Sequence, residues 1–84
     1  MIVKILTESI VIPKTSEDRE LVLLPGASAA DAVKILEEEG LTGSLTAEQV
    51  LETHMLIRNS RHIKPEDELH DGDTLIIIKT LLGG

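Results

Sequence analysis

The chain has 84 residues, a formal net charge of −7, and no cysteine, phenylalanine, tryptophan or tyrosine. This length allows one domain with a small aliphatic core, and the lack of cysteine excludes a disulfide framework and a thiol nucleophile. The lack of aromatic residues excludes base stacking, and the acidic charge disfavours direct nucleic-acid binding, so basic protein surfaces are the better partners.

The amino-terminal part predicts a β-hairpin. Residues 1–12 are rich in Ile and Val and predict a strand with a bend near Glu8-Ser9. Pro13 and the polar residues 14–18 predict a turn, and Arg19 to Leu24 predicts the second strand.

Export and membrane insertion are not expected from the sequence. The first residues lack the long apolar core and cleavage site of a signal peptide. No run approaches the roughly 20 apolar residues that span a bilayer. We therefore expect a cytoplasmic protein that does not bind membranes.

A main helix is predicted after the hairpin. Ser28 and Asp31 resemble a capping box, and apolar residues then recur at helical spacing over about residues 29–39. Gly40 is placed to end the helix in a left-handed conformation, with Leu41 folding back on the last turn.

The following stretch, residues 41–52, predicts only a short helical turn. Thr46 and Gln49 form a second possible capping box there. We assign the hydroxyl groups of Ser28 and Thr46 to helix capping.

The last third of the chain predicts three strands. Residues 54–58 and 61–63 are expected to pair across a turn at Asn59-Ser60. Asp71-Gly72-Asp73 predicts a tight turn before the apolar strand Thr74 to Lys79. An apolar run with no alternation suits a central strand that is covered on both faces.

These elements predict an α+β fold, with a mixed sheet of four to five strands and one main helix packed on one face. One helix leaves apolar residues uncovered on the other face, and an exposed apolar patch is typical of a docking surface. We place the docking patch at Leu6, Leu56, Leu75 and Ile77, with Val22 or Leu24 beside it; Ile76 and Ile78 are the alternative to Leu75 and Ile77.

The sequence ends on Gly83-Gly84, directly after its most apolar strand. We interpret residues 1–78 as the domain and residues 79–84 as a flexible tail that could extend roughly 20 Å at 3.3–3.6 Å per residue. Glycine lets another protein approach the main chain closely, so such a tail can enter a narrow active site. Its carboxylate is ionised at pH 7 and reacts with nucleophiles only after activation. A frayed, inert end is the alternative.

Other residues do not form a recognisable site. His54, His62 and His70 lack the paired spacing of metal ligands, so no metal site is predicted and they are taken as surface or edge residues. The acidic residues of the segment 66–73 lack the pattern of a calcium loop and are interpreted as a solvated, turn-forming segment. We see neither a nucleophile with its base nor a phosphate loop, so no intrinsic catalytic residue is predicted.

One combination of residues carries a family resemblance. Asn59, Leu69, Asp71-Gly72-Asp73 and Gly83-Gly84 occur in this order in the last third. With these residues the whole chain resembles the β-grasp sulfur carriers of the MoaD/ThiS family and, more distantly, ubiquitin. The resemblance implies a β-grasp (ubiquitin-like) fold.

The resemblance also implies a function. A ubiquitin-activating-like enzyme would adenylate the Gly84 carboxylate with ATP, and sulfur from a persulfide donor would convert it to a thiocarboxylate for a sulfur-acceptor enzyme. The carrier itself would be no enzyme and would need no cofactor. Leu81, Leu82 and Gly83 would thread into the partner's active site, and Leu6, Leu56, Leu75 and Ile77 would dock.

The pathway stays open at this stage. Many MoaD-type chains carry a Pro-Pro pair before the glycines, whereas this chain has Lys79-Thr80-Leu81-Leu82. Thiamine thiazole synthesis, molybdopterin synthesis and transfer-RNA thiolation are the candidate destinations of the sulfur. The alternatives are a ubiquitin-like modifier that is conjugated through Gly84 to target lysines, and an interaction domain with an inert tail.

Overall fold

A computed structural model describes residues 1–9 and 19–79 of the chain. In these ranges the protein is an α+β fold with a five-stranded mixed sheet and two helices. The elements are β1 (Ile2–Ser9), β2 (Glu20–Val22), α1 (Ala29–Glu38), α2 (Ala47–Thr53), β3 (Met55–Arg58), β4 (Arg61–Ile63) and β5 (Thr74–Lys79).

The sheet is organised around β5, which is its central strand. The strand order is β2-β1-β5-β3-β4; β1 and β5 are parallel, and the other neighbouring pairs are antiparallel. The predicted hairpin of the first two strands and the central place of the last strand are both confirmed. The predicted continuation of the first strand over residues 10–12 and the turn at residues 13–18 lie outside the described residues.

Local capping signals define α1 as the sequence predicts. Ser28 Oγ accepts a hydrogen bond from the Asp31 amide at 3.3 Å, and the Asp31 carboxylate accepts one from the Ser28 amide at 2.9 Å. At the other end Gly40 has φ of +74°, and the Leu41 amide donates to the Leu36 carbonyl at 2.9 Å. Glycine suits this left-handed position, which closes the helix as a Schellman motif.

A second helix, α2, corrects the expectation of one main helix with only a helical turn after it. Thr46 Oγ1 accepts from the Gln49 amide at 3.2 Å, and the Gln49 side chain accepts from the Thr46 amide at 2.9 Å. This capping box begins a seven-residue helix. An isolated helix this short is unstable in water, so burial of Ala47 and Val50 in the core stabilises it.

The core lies between the helices and one face of the sheet. Its largest fully buried side chains include Ile5, Leu36, Leu69, Leu75 and Ile77. Successive strand residues point to opposite faces, so the neighbours of these strand residues point away from both helices. The second face of the sheet is therefore not covered by any helix among the described residues.

The described part of the chain contains no helix that is long and apolar enough to cross a membrane. The last strand ends at Lys79, and the other residues of the tail predicted at 79–84 lie outside the described residues.

The alternation along β5 can be tested with two neighbouring isoleucines. Ile77 is fully buried and Ile78 lies on the other face, partly exposed. We expect Ile77→Ala to lower the free energy of unfolding by about 2–5 kcal/mol because it leaves a cavity in the core. Ile78→Ala should lower the free energy of unfolding by no more than about 1 kcal/mol, because the partly exposed Ile78 side chain buries less apolar area in the fold. Urea unfolding followed by circular dichroism measures both; equal losses would contradict the assignment of the two faces.

Candidate functional site

The uncovered face of the sheet carries a cluster of apolar side chains across its three central strands. Leu6 of β1 pairs with Ile76 of β5, which pairs with Ile57 of β3. In the next row Ile78 pairs with Met55. Residues that pair directly share one face of a sheet. We call this set the open-face patch: Leu6, Met55, Ile57, Ile76 and Ile78.

The open-face patch corrects the docking patch predicted from the sequence. Leu6 lies on the uncovered face, as predicted, and is half-buried. Leu56 is only 3% exposed, and Leu75 and Ile77 are fully buried in the core, so none of the three can contact a partner. The sequence prediction therefore assigned the wrong alternate residues of β3 and β5 to the uncovered face. Because Leu75, Ile76, Ile77 and Ile78 are all apolar, their own sequence shows no alternation from which the phase could be read.

Charged and polar residues flank the open-face patch. Lys4 and Glu8 precede and follow Leu6 on the same face of β1, and His62 pairs with Ile57 on β4. Met55, at 45% exposure, is the most accessible member among the large apolar residues of the patch. An apolar centre with a polar rim is the arrangement typical of a protein-docking surface.

The patch lies beside the end of β5. Lys79 pairs with Ser9, the last residue of β1, and Ile78 of the patch directly precedes it. The sequence continues for five residues, from Thr80 to Gly84. Leu81, Leu82, Gly83 and Gly84 lie outside the described residues, so their roles in partner binding and activation remain predictions.

His54 lies next to this end of the sheet and was missed as a buried residue. It is 8% exposed, at the junction of α2 and β3, which corrects its assignment as a surface or edge histidine. Its Nε2 is 2.8 Å from Ser9 Oγ, and its Nδ1 is 2.9 Å from Thr53 Oγ1 and 3.2 Å from the Val50 carbonyl oxygen. Thr53 Oγ1 donates to the Gln49 carbonyl at 2.7 Å, so it accepts from Nδ1–H. This network fits a neutral imidazole with its proton on Nδ1 and with Ser9 donating to Nε2.

The environment of His54 favours its neutral form. Burial lowers the pKa of His54 below its ordinary value, the hydrogen bond to the Val50 carbonyl partly offsets this, and the positive charge of Lys79 lowers the pKa further. The side chain therefore joins α2 to β1 as an uncharged hydrogen-bonding group.

Asp71 and Asp73, in the acidic segment before β5, form hydrogen bonds that stabilise turns. The Asp73 carboxylate accepts from the His70 amide at 2.8 Å and from Asn59 Nδ2 at 3.4 Å. Asp71 Oδ1 accepts from the Ile2 amide at 2.7 Å. Asp73 is only 8% exposed, so the expectation of a solvated segment is wrong for this residue. Asn59, Asp71 and Asp73 thus fix the start of β5 against β1 and the β3–β4 turn.

The described residues contain no group of three or more His, Cys, Asp or Glu side chains placed to hold a metal ion. Comparison with known proteins adds no family assignment: no protein-family model matches the chain, and no curated protein matches it significantly.

The lowered pKa of His54 predicts a pH-dependent stability. Its ordinary value is 6.5, so the unfolded chain takes up the proton first as the pH falls through this region. The fold is thus expected to lose stability below about pH 6.5 and to regain it as the pH rises. Urea unfolding between pH 5 and 7 should show this loss in the native chain and a smaller loss in His54→Gln, which cannot take up a proton. Equal pH dependence of the two proteins would contradict the assignment.

Proposed function

We propose that this protein is a ubiquitin-like sulfur carrier with a β-grasp fold, which acts through the carboxylate of Gly84. The observation that carries the proposal is the position of the open-face patch. It lies directly beside the end of β5, after which the sequence continues through Leu81 and Leu82 to two glycines. A partner that binds the patch is therefore close to the residues that it would act on.

The topology of the described residues supports the proposed β-grasp fold. The described residues form a hairpin, cross one face of the sheet with α1, and finish with the central strand β5, which is parallel to β1. The short α2 and the β3–β4 hairpin lie between these parts of the chain. In this arrangement the last strand lies in the middle of the sheet, and its carboxyl end lies at one end of the strands.

The length of the predicted tail also supports the proposal. The five residues after Lys79 can span at most about 18 Å, at 3.3–3.6 Å per residue. This length can reach an active site recessed behind a docked surface. The two glycines need little width because they have no side chains.

The proposed chemistry needs no catalytic group on the carrier. A carboxylate oxygen of Gly84 attacks the α-phosphorus of ATP, pyrophosphate leaves, and an acyl adenylate forms. The terminal sulfur of a persulfide then attacks the acyl carbon and AMP leaves. A thiol then attacks the donor's own sulfur in the resulting acyl disulfide, so that the sulfur–sulfur bond breaks, the thiol and the donor form a disulfide, and the thiocarboxylate is released. The adenylating enzyme and the sulfur donor supply the acid, base and charge stabilisation for these steps.

The partner surfaces are inferred from the patch and the charge of the chain. Apolar contacts with Ile57, Ile76 and Ile78 would give most of the binding energy, since buried apolar centres dominate such interfaces. The net charge of −7 would steer the chain toward a basic surface and speed association. The sulfur-acceptor enzyme is expected to bind the same tail. Cofactor biosynthesis and transfer-RNA thiolation are the two candidate pathways for this enzyme.

The central prediction concerns the chain end itself. Protein recovered from its native host, or incubated with that host's extract, ATP and a persulfide donor, should gain the mass that corresponds to replacing one oxygen by sulfur at Gly84. Mass spectrometry of the carboxyl-terminal peptide measures this change. Deletion of Gly84 should abolish it and leave the unfolding curve unchanged. Repeated absence of the mass change would overturn the proposal. A Thr-Leu-Leu-Gly-Gly remnant on lysines of other proteins, left by trypsin cleavage after Lys79, would favour conjugation instead.

The open-face patch can be tested separately from the tail. Met55→Asp places a charge in the patch at an exposed position, so it should lower the rate of adenylation about tenfold or more while the fold is retained. Ser44→Asp adds the same charge to an exposed turn and is the matched control. ATP-dependent pyrophosphate exchange in host extract measures both rates. Equal rates for the two variants would exclude the patch as the docking surface.

A further inference from the structure

The outer edge of β2 offers main-chain groups that have no partner among the described residues. β2 is the first strand in the sheet order, so β1 is its one neighbour among the described residues. The Leu23 amide donates to the Met1 carbonyl at 2.8 Å, and the Ile5 amide donates to the Arg19 carbonyl at 3.0 Å. In an antiparallel pair the bonded residues alternate with residues whose N–H and C=O groups point to the other side. The main-chain groups of Glu20 and Val22 therefore point to the free edge.

A groove runs beside this edge, between β2, the loop after it and α1. It has a volume of about 440 Å³ and is lined by Val22, Leu23, Leu24, Pro25, Asp31 and Ile35, with Gly26 and Ala27 completing the loop. Val22 and Leu24 are 79% and 82% exposed, the most exposed large apolar side chains among the described residues. We call this feature the edge groove.

The charge of the edge groove selects its occupant. Asp31 is the one charged residue among those that line the groove, and the whole chain carries a net charge of −7. A second copy would bring two aspartates and two acidic chains together, which opposes pairing between copies. An apolar segment with flanking lysines or arginines avoids this repulsion and complements Asp31.

The edge groove lies at the opposite end of the sheet from the proposed tail. Met1 and Leu23 mark its end of β1, whereas Lys79 pairs with Ser9 at the other end. The seven-residue step from Ile2 to Ser9 corresponds to about 23 Å along a strand. A ligand in the groove would leave the end of β5 accessible, so this site does not depend on the proposed sulfur transfer.

We propose that the edge groove binds an extended, basic-flanked apolar segment of another protein, which pairs with β2 as an added strand. Its main chain bonds to Glu20 and Val22, and its apolar side chains contact Leu24 and Ile35. Strand addition of this kind uses main-chain bonds for affinity and side-chain contacts for selectivity. The carrier can then be held by one protein while its tail is used by another.

The probe for this proposal is an acetylated and amidated peptide, Lys-Lys-Val-Ile-Val-Lys-Lys, titrated into the full-length chain and followed by amide NMR signals. We expect the Glu20 and Val22 amide signals to shift and their hydrogen exchange to slow. Leu24→Ser should weaken binding about fivefold or more through lost apolar contact, and because this side chain is 82% exposed the variant should still fold. Met55→Ser removes an apolar side chain from the open-face patch and should leave the peptide affinity unchanged.

Two further peptides separate the contribution of main-chain hydrogen bonds to binding from the contribution of charge. A peptide with proline in place of the central isoleucine lacks an N–H and should bind at least about fivefold more weakly. A peptide with glutamates in place of the lysines should also bind more weakly. The proposal is overturned if the signals that shift belong to the open-face patch, if the glutamate peptide binds equally well, or if no signal shifts. It is also overturned if the free chain forms a dimer that Leu24→Ser dissociates, because a second copy would then occupy the groove.

Discussion

The parallel pairing of β1 with β5 is the constraint on which the rest of the structure depends. It places the most apolar strand of the chain in the middle of the sheet, six residues long and paired on both edges. Parallel strands need a long connection, and here α1, α2 and the β3–β4 hairpin all lie within it. Because both helices pack on one side, the pairing also produces a second face that the described residues leave open.

This arrangement separates residues that hold the fold from residues available to partners. Asp71 and Asp73 bond to the amides of Ile2 and His70, and so fix the turn that leads into β5. Ser9 and His54 join the far end of the same strand pair to α2. These hydrogen bonds position the strands that carry the open-face patch, and a surface positioned before binding costs less conformational entropy when a partner binds.

The two proposed surfaces lie at different places on the same sheet. The open-face patch adjoins the end of β5 and fits a partner that acts on the following residues, whereas the edge groove lies along β2 near the start of β1. Under the proposed function, this small acidic domain positions its chain end for the proteins that bind it. The chemistry would come from its partners, and the domain would contribute orientation and a reactive chain end.

The sequence by itself determined the features that depend on neighbouring residues. Ser28 with Asp31, Gly40, and Thr46 with Gln49 act within one or two helical turns, so their capping roles could be read directly and are found as predicted. Only the tertiary structure decided which face of β3 and β5 is buried. Their consecutive apolar residues carry no alternation, and the buried face is set by the pairing of β5 with β1 and of β3 with β5. Buried His54 likewise forms a hydrogen bond with Ser9, which is 45 residues away in the chain. Long-range pairing of this kind leaves no local pattern, and it moved the candidate docking surface by one residue along each of these two strands.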